Sequence, residues 1–377
     1  MSIEYKYDQK IINYKFNKIH PILEIYRGMV IEKLFYNFYN LCKKYNKNIH
    51  KNKTDDFITR FCWSNLDIYD PALPFKKDHN YNYDQLYIDL KNYNISIEIM
   101  KELNIELFLK KKIKKLRQIS KMINYDKSIN IKVDDDKLIY KNKYWCSINK
   151  KILETFNKFY DGKYKNNKFA LYFCILYRYN LLEADNQQLA INLNLKNDLT
   201  TYFGINIELF GSTINRFFNN FCSIFYDLEH HFGSLGNFFN ITPKQGLYMA
   251  NPPYDESLME NMAKHLIFAL ENTNLPLGFI ITIPIWDYDT QKNINKKCNT
   301  KYSDMGIYKA YELLKNTRFY HKHYIFCKQD FKYHKIKENR DIAASNTYIF
   351  VIKNNNLEFN TLLFEKLLKN HKLYYLN

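Results

Sequence analysis

Asn251, Pro252, Pro253 and Tyr254 close an apolar run that begins at Gly246, and their types and order suit one kind of chemistry. Consecutive prolines remove two backbone donors and hold φ near roughly −65°, so the chain after Ala250 is a stiff loop at the end of a predicted strand. An exocyclic amine conjugated to a ring is a poor nucleophile because its lone pair is delocalised. Two acceptors that take the amine hydrogens rehybridise it, and the Asn251 side-chain oxygen and the Pro252 carbonyl form such a pair. Tyr254 adds a face on which a planar base stacks, a contact worth about 1–3 kcal/mol. No general base of unusual pKa is required, because methylation raises the nitrogen's acidity and water takes the proton afterwards; electrostatic positioning is the main term. A turn with only a structural task needs neither the Asn before the prolines nor the aromatic after them. The four residues therefore predict methyl transfer to a planar nitrogen and leave the acceptor open: DNA or RNA adenine, rRNA guanine and protein glutamine all fit.

A methyl donor needs its own loops. In an open α/β sheet, ligands bind outside the carboxyl ends of the strands. The stretch Ile205–Asn215 reads as strand, turn and helix, with Gly211 and Ser212 at the turn, where the methionine end of S-adenosylmethionine can lie against the backbone. Asp227 ends the next predicted strand, Phe221–Phe225, in a position where a carboxylate commonly accepts both ribose hydroxyls, with Glu229 as the reserve. Phe232, Gly233 and Ser234, leading to Gly236, read as a flexible turn able to wrap the donor's adenine.

These loops need a sheet to hold them. From Lys168 onward, short apolar runs alternate with helical patterns: Ile205–Phe210, Phe221–Phe225, Gly246–Ala250, Leu277–Ile285, Tyr324–Phe326 and Tyr348–Ile352. Such alternation predicts an α/β sheet with crossover helices. The last two runs have no convincing helix between them and are expected to pair antiparallel at the sheet edge, as the final strands of many methyltransferases do. Leu363–Leu373 reads as a terminal helix. Before this region the apolar spacing is helical, as in Ile22, Ile25, Tyr26, Met29, Val30, Leu34, Phe35 and Phe38. Pro71 and Pro74 break any helix arriving from Phe57–Leu66. The basic run Lys110, Lys111, Lys112, Lys114, Lys115 and Arg117 spreads around a helix and leaves Ile113 and Leu116 for a core. A hairpin is expected between Tyr125 and Tyr144. The division is thus a mainly helical domain over 1–165 and an α/β domain over 166–377.

Composition sets outer bounds. Lys plus Arg number 56 against 39 Asp plus Glu, so the formal charge is +17 and polyanions are attracted. An AT-rich genome inflates Lys, Asn, Ile and Tyr as well, so the charge permits a nucleic-acid partner without demanding one. The 34 Tyr and 28 Phe likewise prevent any one aromatic from being singled out as a base-stacking residue on composition alone. Seven cysteines without a CxxC pair indicate neither a zinc cluster nor a disulfide scaffold, and no metal is expected. No apolar stretch reaches the length of a membrane span, and the expectation is a soluble intracellular protein of nucleus or cytoplasm.

One family resembles this order of segments. Tyr177-Arg-Tyr179, Asn186–Ala190, Glu208–Phe210 with Ser212 and Asn215, Phe221–Ser223, Phe232–Ser234 and Gly236 match in sequence order. Ala250–Tyr254, Leu258-Met259, Ile283-Pro284 with Trp286, Arg318-Phe319 and Asn346-Thr347 continue the match. Together they resemble the phosphorylated-CTD-interacting-factor family of cap-specific adenosine N6-methyltransferases. The resemblance implies a Rossmann-like methyltransferase domain after a helical one, S-adenosylmethionine as donor, and a capped RNA held in a basic groove formed by both domains. It adds Glu208, Phe210 and Asn251 to the expected cofactor contacts, and Tyr254, Trp286 and Arg318 to the substrate contacts. His321 and Lys322 lie near enough in sequence to Arg318 to touch phosphate with it. Two departures stand out. Tyr254 replaces the Phe of animal members, which keeps the stacking face and adds a hydroxyl. Trp63, Trp145 and Trp286 are too far apart for the WW module, so that module is expected to be absent.

Overall fold

The computed structural model describes residues 3–7, 19–65, 81–182, 188–191, 193–287, 290, 308–335, 338 and 340–371. The chain divides into two compact units. One comprises Met1–Tyr14, Gln187–Ser223 and Gly233–Asn377, and the other Lys15–Asn186 and Ile224–Phe232.

The first unit is α/β with a mixed sheet. Its strands are β1 (Glu4–Tyr7), β2 (Ile207–Glu208), β3 (Asn220–Phe221), β4 (Ile241–Ala250), β5 (Leu277–Pro284), β6 (Tyr320–Phe326) and β7 (Thr347–Lys353). They lie in the order β6, β7, β5, β4, β2, β3, with β1 paired antiparallel to the first half of β4. β3, β2, β4 and β5 are parallel. The expected antiparallel pairing is present: Tyr324 faces Ile349 and Phe326 faces Thr347. β7 is itself inserted between β5 and β6, so only β6 forms the edge. β5 is buried at all its positions, the pattern of a strand covered on both faces. Alternation along β4 shows how: Tyr248 and Ala250 join Met259, Met262, Ala263 and Leu266 of the helix Glu256–Glu271 on one face. Leu247 and Met249 join Leu195, Leu199, Phe364 and Leu368 on the other.

Around β6 the environment makes stability depend on pH. His323 lies against the Phe350 ring, with centroids 5.2 Å apart, and shares a 2.8 Å hydrogen bond with the Tyr320 hydroxyl. Burial first, and then the nearby Lys315 ammonium, lower its pKa to about 4. Between about 6.5 and about 4 the unfolded chain binds a proton that the folded one refuses, so stability falls as pH drops through that window. The melting temperature is expected to be lower at pH 5 than at pH 7, and His323→Gln to narrow the gap; an unchanged gap in that variant would remove His323 from the account.

The second unit is mainly helical, with helices Pro21–Tyr45, Lys51–Ser64, Asp84–Asn92, Ile99–Leu103, Ile105–Met122, Lys150–Phe159 and Lys168–Leu181. The expected hairpin forms from Ile131–Asp134 and Lys137–Tyr140, and gains a third strand, Lys143–Ser147. On Ile105–Met122, Leu109 and Leu116 are buried and most of the basic run faces solvent. Lys168–Leu181 is buried without interruption from Ala170 to Tyr179, so its sequence carries no amphipathic stripe. Pro71 and Pro74 lie outside the described residues.

Among the described residues, no helix is long and apolar enough to cross a membrane, and no group of three His, Cys, Asp or Glu is placed to hold a metal ion. Cys42, Cys62, Cys146, Cys174 and Cys222 are free and buried. Cys327 is disulfide-bonded.

Candidate active site

The parallel strands β2, β4 and β5 end on one side of the sheet, and β7 begins there, since Thr347 pairs with Pro284. Asn251 follows β4 directly. Its side-chain Nδ2 donates to the Leu189 carbonyl over 3.0 Å, which fixes the orientation of the amide. Among the described residues, neither Asn251 Oδ1 nor the Pro252 carbonyl accepts a hydrogen bond. The two acceptors singled out in the sequence are therefore both unspent, in a residue pair that is nearly buried. After the prolines, the Asp255 carboxylate caps the helix Glu256–Glu271 by accepting from the Leu258 amide at 2.7 Å. The loop is thus pinned by a strand at one end and a capped helix at the other.

Tyr254 is half-buried, with its hydroxyl turned inward. It donates to the Tyr333 hydroxyl, which lies 3.0 Å from Thr347 Oγ1, and Thr347 Oγ1 donates to the Ser345 carbonyl over 3.1 Å. Burial, and then the neighbouring Tyr333, hold the Tyr254 hydroxyl well above the usual phenol range, so it stays protonated. Trp286, two residues beyond β5, meets Tyr254 edge to face at 6.2 Å and packs on Tyr308 at 5.5 Å. Tyr254 and Trp286 are brought together as expected for two aromatic walls of one site.

Beside this loop, Glu208 pairs in register with Met249. Lys196, fully buried on the helix Leu193–Phe203, reaches both Glu208 carboxylate oxygens at 2.8 and 3.0 Å. Burial raises the Glu208 pKa and Lys196 opposes that rise. The turn after β2 is closed on itself: the Gly211 amide donates to the Cys222 carbonyl at 2.8 Å, and the Ser212 amide to Asn215 Oδ1 at 2.8 Å. Ser212 Oγ donates to Gln188. Phe210 packs on Phe238 at 5.2 Å. Gly233 has φ +91° and an added Cβ would sit 2.5 Å from the Asn219 carbonyl oxygen, so only glycine fits there. Ser234 then runs parallel beside Phe221, and its hydroxyl meets that of Ser223 at 2.7 Å. These bonds replace the expected flexible turn with an ordered segment.

Three of the expected contact residues, Asp227, Phe232 and Arg318, are not among the groups gathered around the Asn251 loop within the α/β unit. Asp227 belongs to the helical unit, together with Phe232. Both Asp227 oxygens accept from Arg178 Nη1, at 2.8 and 3.0 Å, so the carboxylate expected for a ribose is already committed. Glu229, its reserve, accepts from the Tyr179 hydroxyl at 3.0 Å. Arg318 precedes β6, whose register places its start opposite the start of β5. Arg318 thus lies toward the opposite end of the strands from Asn251, roughly 15 Å away in the strand direction, whereas Lys322 is level with Met249 but three strands across. Arg318 is exposed, with its guanidinium over the Phe319 ring. Sequence order could not give this, because register depends on which residues pair. Conversely, Leu189, Lys196 and Tyr333 escaped notice. Leu189 acts through its backbone, Lys196 is one lysine of a strongly basic chain, and Tyr333 is one tyrosine among 34.

Comparison with known proteins adds to this geometry. A family model described as the phosphorylated CTD interacting factor 1 WW domain matches residues 150–333, just under half of the chain. A stretch of 119 residues is 36% identical to the mouse (Mus musculus) mRNA (2'-O-methyladenosine-N(6)-)-methyltransferase, and covers 30% of this chain and 17% of that protein. The human (Homo sapiens) protein of the same name is 35% identical over the same shares. The chain thus aligns with only a small part of these relatives' length. The match also corrects the expectation of an absent WW module: the family model that fits is the one described by that domain, and its span includes Trp286 while leaving out Trp63 and Trp145. Tryptophan spacing is not a test of membership in that model.

Proposed function

We propose, with that similarity as the premise, that this chain transfers a methyl group from S-adenosylmethionine to N6 of the adenosine or 2'-O-methyladenosine beside the cap of an mRNA. The single observation that supports it most is the Asn251 amide, held by the Leu189 carbonyl with Oδ1 left unspent beside an equally unspent Pro252 carbonyl. In this reading the N6 amino group donates its two hydrogens to those oxygens, and its lone pair turns out of the ring plane. The adenine lies against the Tyr254 ring, with Trp286 as the adjoining wall. Bound S-adenosylmethionine supplies an electrophilic methyl group. After transfer the methylated nitrogen loses one proton and keeps the other; that proton goes to water, because Tyr254 is held protonated and its hydrogen is directed at Tyr333.

The strand order supports a Rossmann-like methyltransferase domain: β3, β2, β4, β5 and β6 run in one direction, and the antiparallel β7 is inserted between β5 and β6. The proposed domain division is 1–165 and 166–377, whereas the compact units change over at Tyr14/Lys15, Asn186/Gln187, Ser223/Ile224 and Phe232/Gly233. The cofactor fits best where three backbone segments meet at the ends of β2 and β3: Phe210–Ser212, Cys222-Ser223 and Gly233–Gly236. Since the Gly211 and Ser212 amides are spent, that turn would receive the cofactor through packing rather than by donating hydrogen bonds. Lys196 neutralises Glu208 and keeps a bare carboxylate away from the methyl donor.

The deciding assay is cap dependence. Capped RNA starting with adenosine or 2'-O-methyladenosine, incubated with radiolabelled cofactor, is expected to be labelled, and uncapped or G-initiated RNA is not. Equal labelling of uncapped RNA or DNA would overturn the cap-adjacent assignment while keeping the chemistry.

A further inference from the structure

Beside the main sheet stands a small three-stranded one, made of Leu189–Ala190, Tyr333–Lys335 and Arg340–Ile342. Its two contacts with the Asn251–Tyr254 loop are of different kinds. The Leu189 carbonyl takes the Asn251 amide, and the Tyr333 hydroxyl takes the Tyr254 hydroxyl. The strands supplying these groups are paired with each other, His334 with Ala190 and Lys335 with Leu189. One hydrogen-bonded piece of backbone thus fixes the first and the last residue of the four-residue loop.

The direction of the hydroxyl chain follows from counting protons. Thr347 spends its hydrogen on the Ser345 carbonyl, so Tyr333 must donate to Thr347, and Tyr254 to Tyr333. Every hydroxyl hydrogen points inward, away from the loop's acceptors. The Tyr254 hydroxyl therefore has no hydrogen to give a substrate; its work is to hold the ring. Tyr333 itself is 1% exposed and packs against Phe331 at 5.0 Å, so its oxygen has a fixed place.

We infer that Tyr333 is a positioning residue for base binding: acting through the Tyr254 hydroxyl, it sets the plane of the ring on which the acceptor adenine stacks. The inference rests on the proposed function of the loop. It also gives a reason for the hydroxyl at position 254, since a Phe there would remove the Tyr254–Tyr333 hydrogen bond.

The test compares four proteins: wild type, Tyr333→Phe, Tyr254→Phe and the double variant, with kcat and KM measured on capped A-initiated RNA. Tyr333→Phe leaves the Tyr254 hydroxyl buried without its acceptor, and is expected to lower kcat/KM for RNA about tenfold through loss of stacking. Affinity for S-adenosylhomocysteine, by calorimetry, is expected to stay put. In the Tyr254→Phe background, whatever its own baseline, adding Tyr333→Phe is expected to change kcat/KM by less than about twofold, because both partners of the lost bond are then apolar. A purely structural Tyr333 would cost the same in both backgrounds, or weaken cofactor binding in step; either result overturns the inference, as does a harmless Tyr333→Phe. Should wild type label another acceptor, the cap-adjacent reading falls, and the same four proteins compared on that acceptor decide the positioning role. A wild type that transfers to nothing overturns both.

Discussion

Replacing Asn251 with Ala is expected to lower methyl transfer by about two to three orders of magnitude, the scale seen when one preorganised polar contact to a developing charge is deleted. The reason lies in how little else holds the amine. Of the two unspent acceptors, one is the Asn251 side chain and the other is backbone that substitution cannot remove. With Oδ1 gone, the amino group keeps its conjugation with the ring and its lone pair stays in the wrong direction. Cofactor affinity is expected to change little, so single-turnover rates and calorimetry with S-adenosylhomocysteine separate the two effects. Asn251→Asp provides a finer control. It keeps the shape and an acceptor oxygen, but cannot donate to Leu189, and sets a carboxylate against that carbonyl; it is expected to be nearly as impaired as the Ala variant. Near-normal turnover by Asn251→Ala would sink the mechanism.

Replacing Arg178 with Met is expected to destabilise the helical unit by about 3–5 kcal/mol, a large share of the roughly 5–15 kcal/mol that a domain has in total. Arg178 is 1% exposed and joins two elements far apart in sequence. Its Nε and Nη2 bond to Glu24 of the helix Pro21–Tyr45, and its Nη1 to both oxygens of Asp227. Arg27 bonds Glu24 at 2.7 Å, so four charges balance in the interior. Burial works against the Arg178 charge, and Asp227 and Glu24 outweigh it, holding the guanidinium pKa above its ordinary value. The Met variant strands Asp227 with no ion-pair partner among the described residues and leaves Glu24 paired with Arg27. Adding Asp227→Asn to Arg178→Met removes the stranded charge and is expected to recover part of the loss. Arg178→Lys keeps the charge, loses the two-sided fork, and is expected to fall between. Denaturant unfolding reads all three; a Met variant within about 1 kcal/mol of wild type would show that the network carries little.

These two sites mark the limits of reading a sequence. Asn251, Pro252 and Tyr254 were legible because their chemistry is local: four consecutive residues after an apolar run carry acceptor, rigidity and aromatic face together. The alternation of the α/β half was legible too, since burial on both faces writes itself into the second half of β4 and into β5 as largely apolar runs. Asp227 shows the opposite case. Its place after a predicted strand suggested a free carboxylate, and nothing local announced that Arg178, 49 residues earlier, would bond both of its oxygens.

By itself, then, the sequence determined the candidate loop, the alternating strands around it, and the antiparallel pairing of the last two, because those depend on neighbouring residues and on the hydrophobic period. Only the tertiary structure decided which end of the sheet each residue reaches. Strand register put Trp286 beside Tyr254 and Arg318 toward the opposite end of the strands. It also decided what holds the loop still. Leu189 and Tyr333 are 62 and 79 residues from the groups they hold, a distance closed by packing of the whole unit, and a backbone carbonyl leaves no mark in a sequence at all.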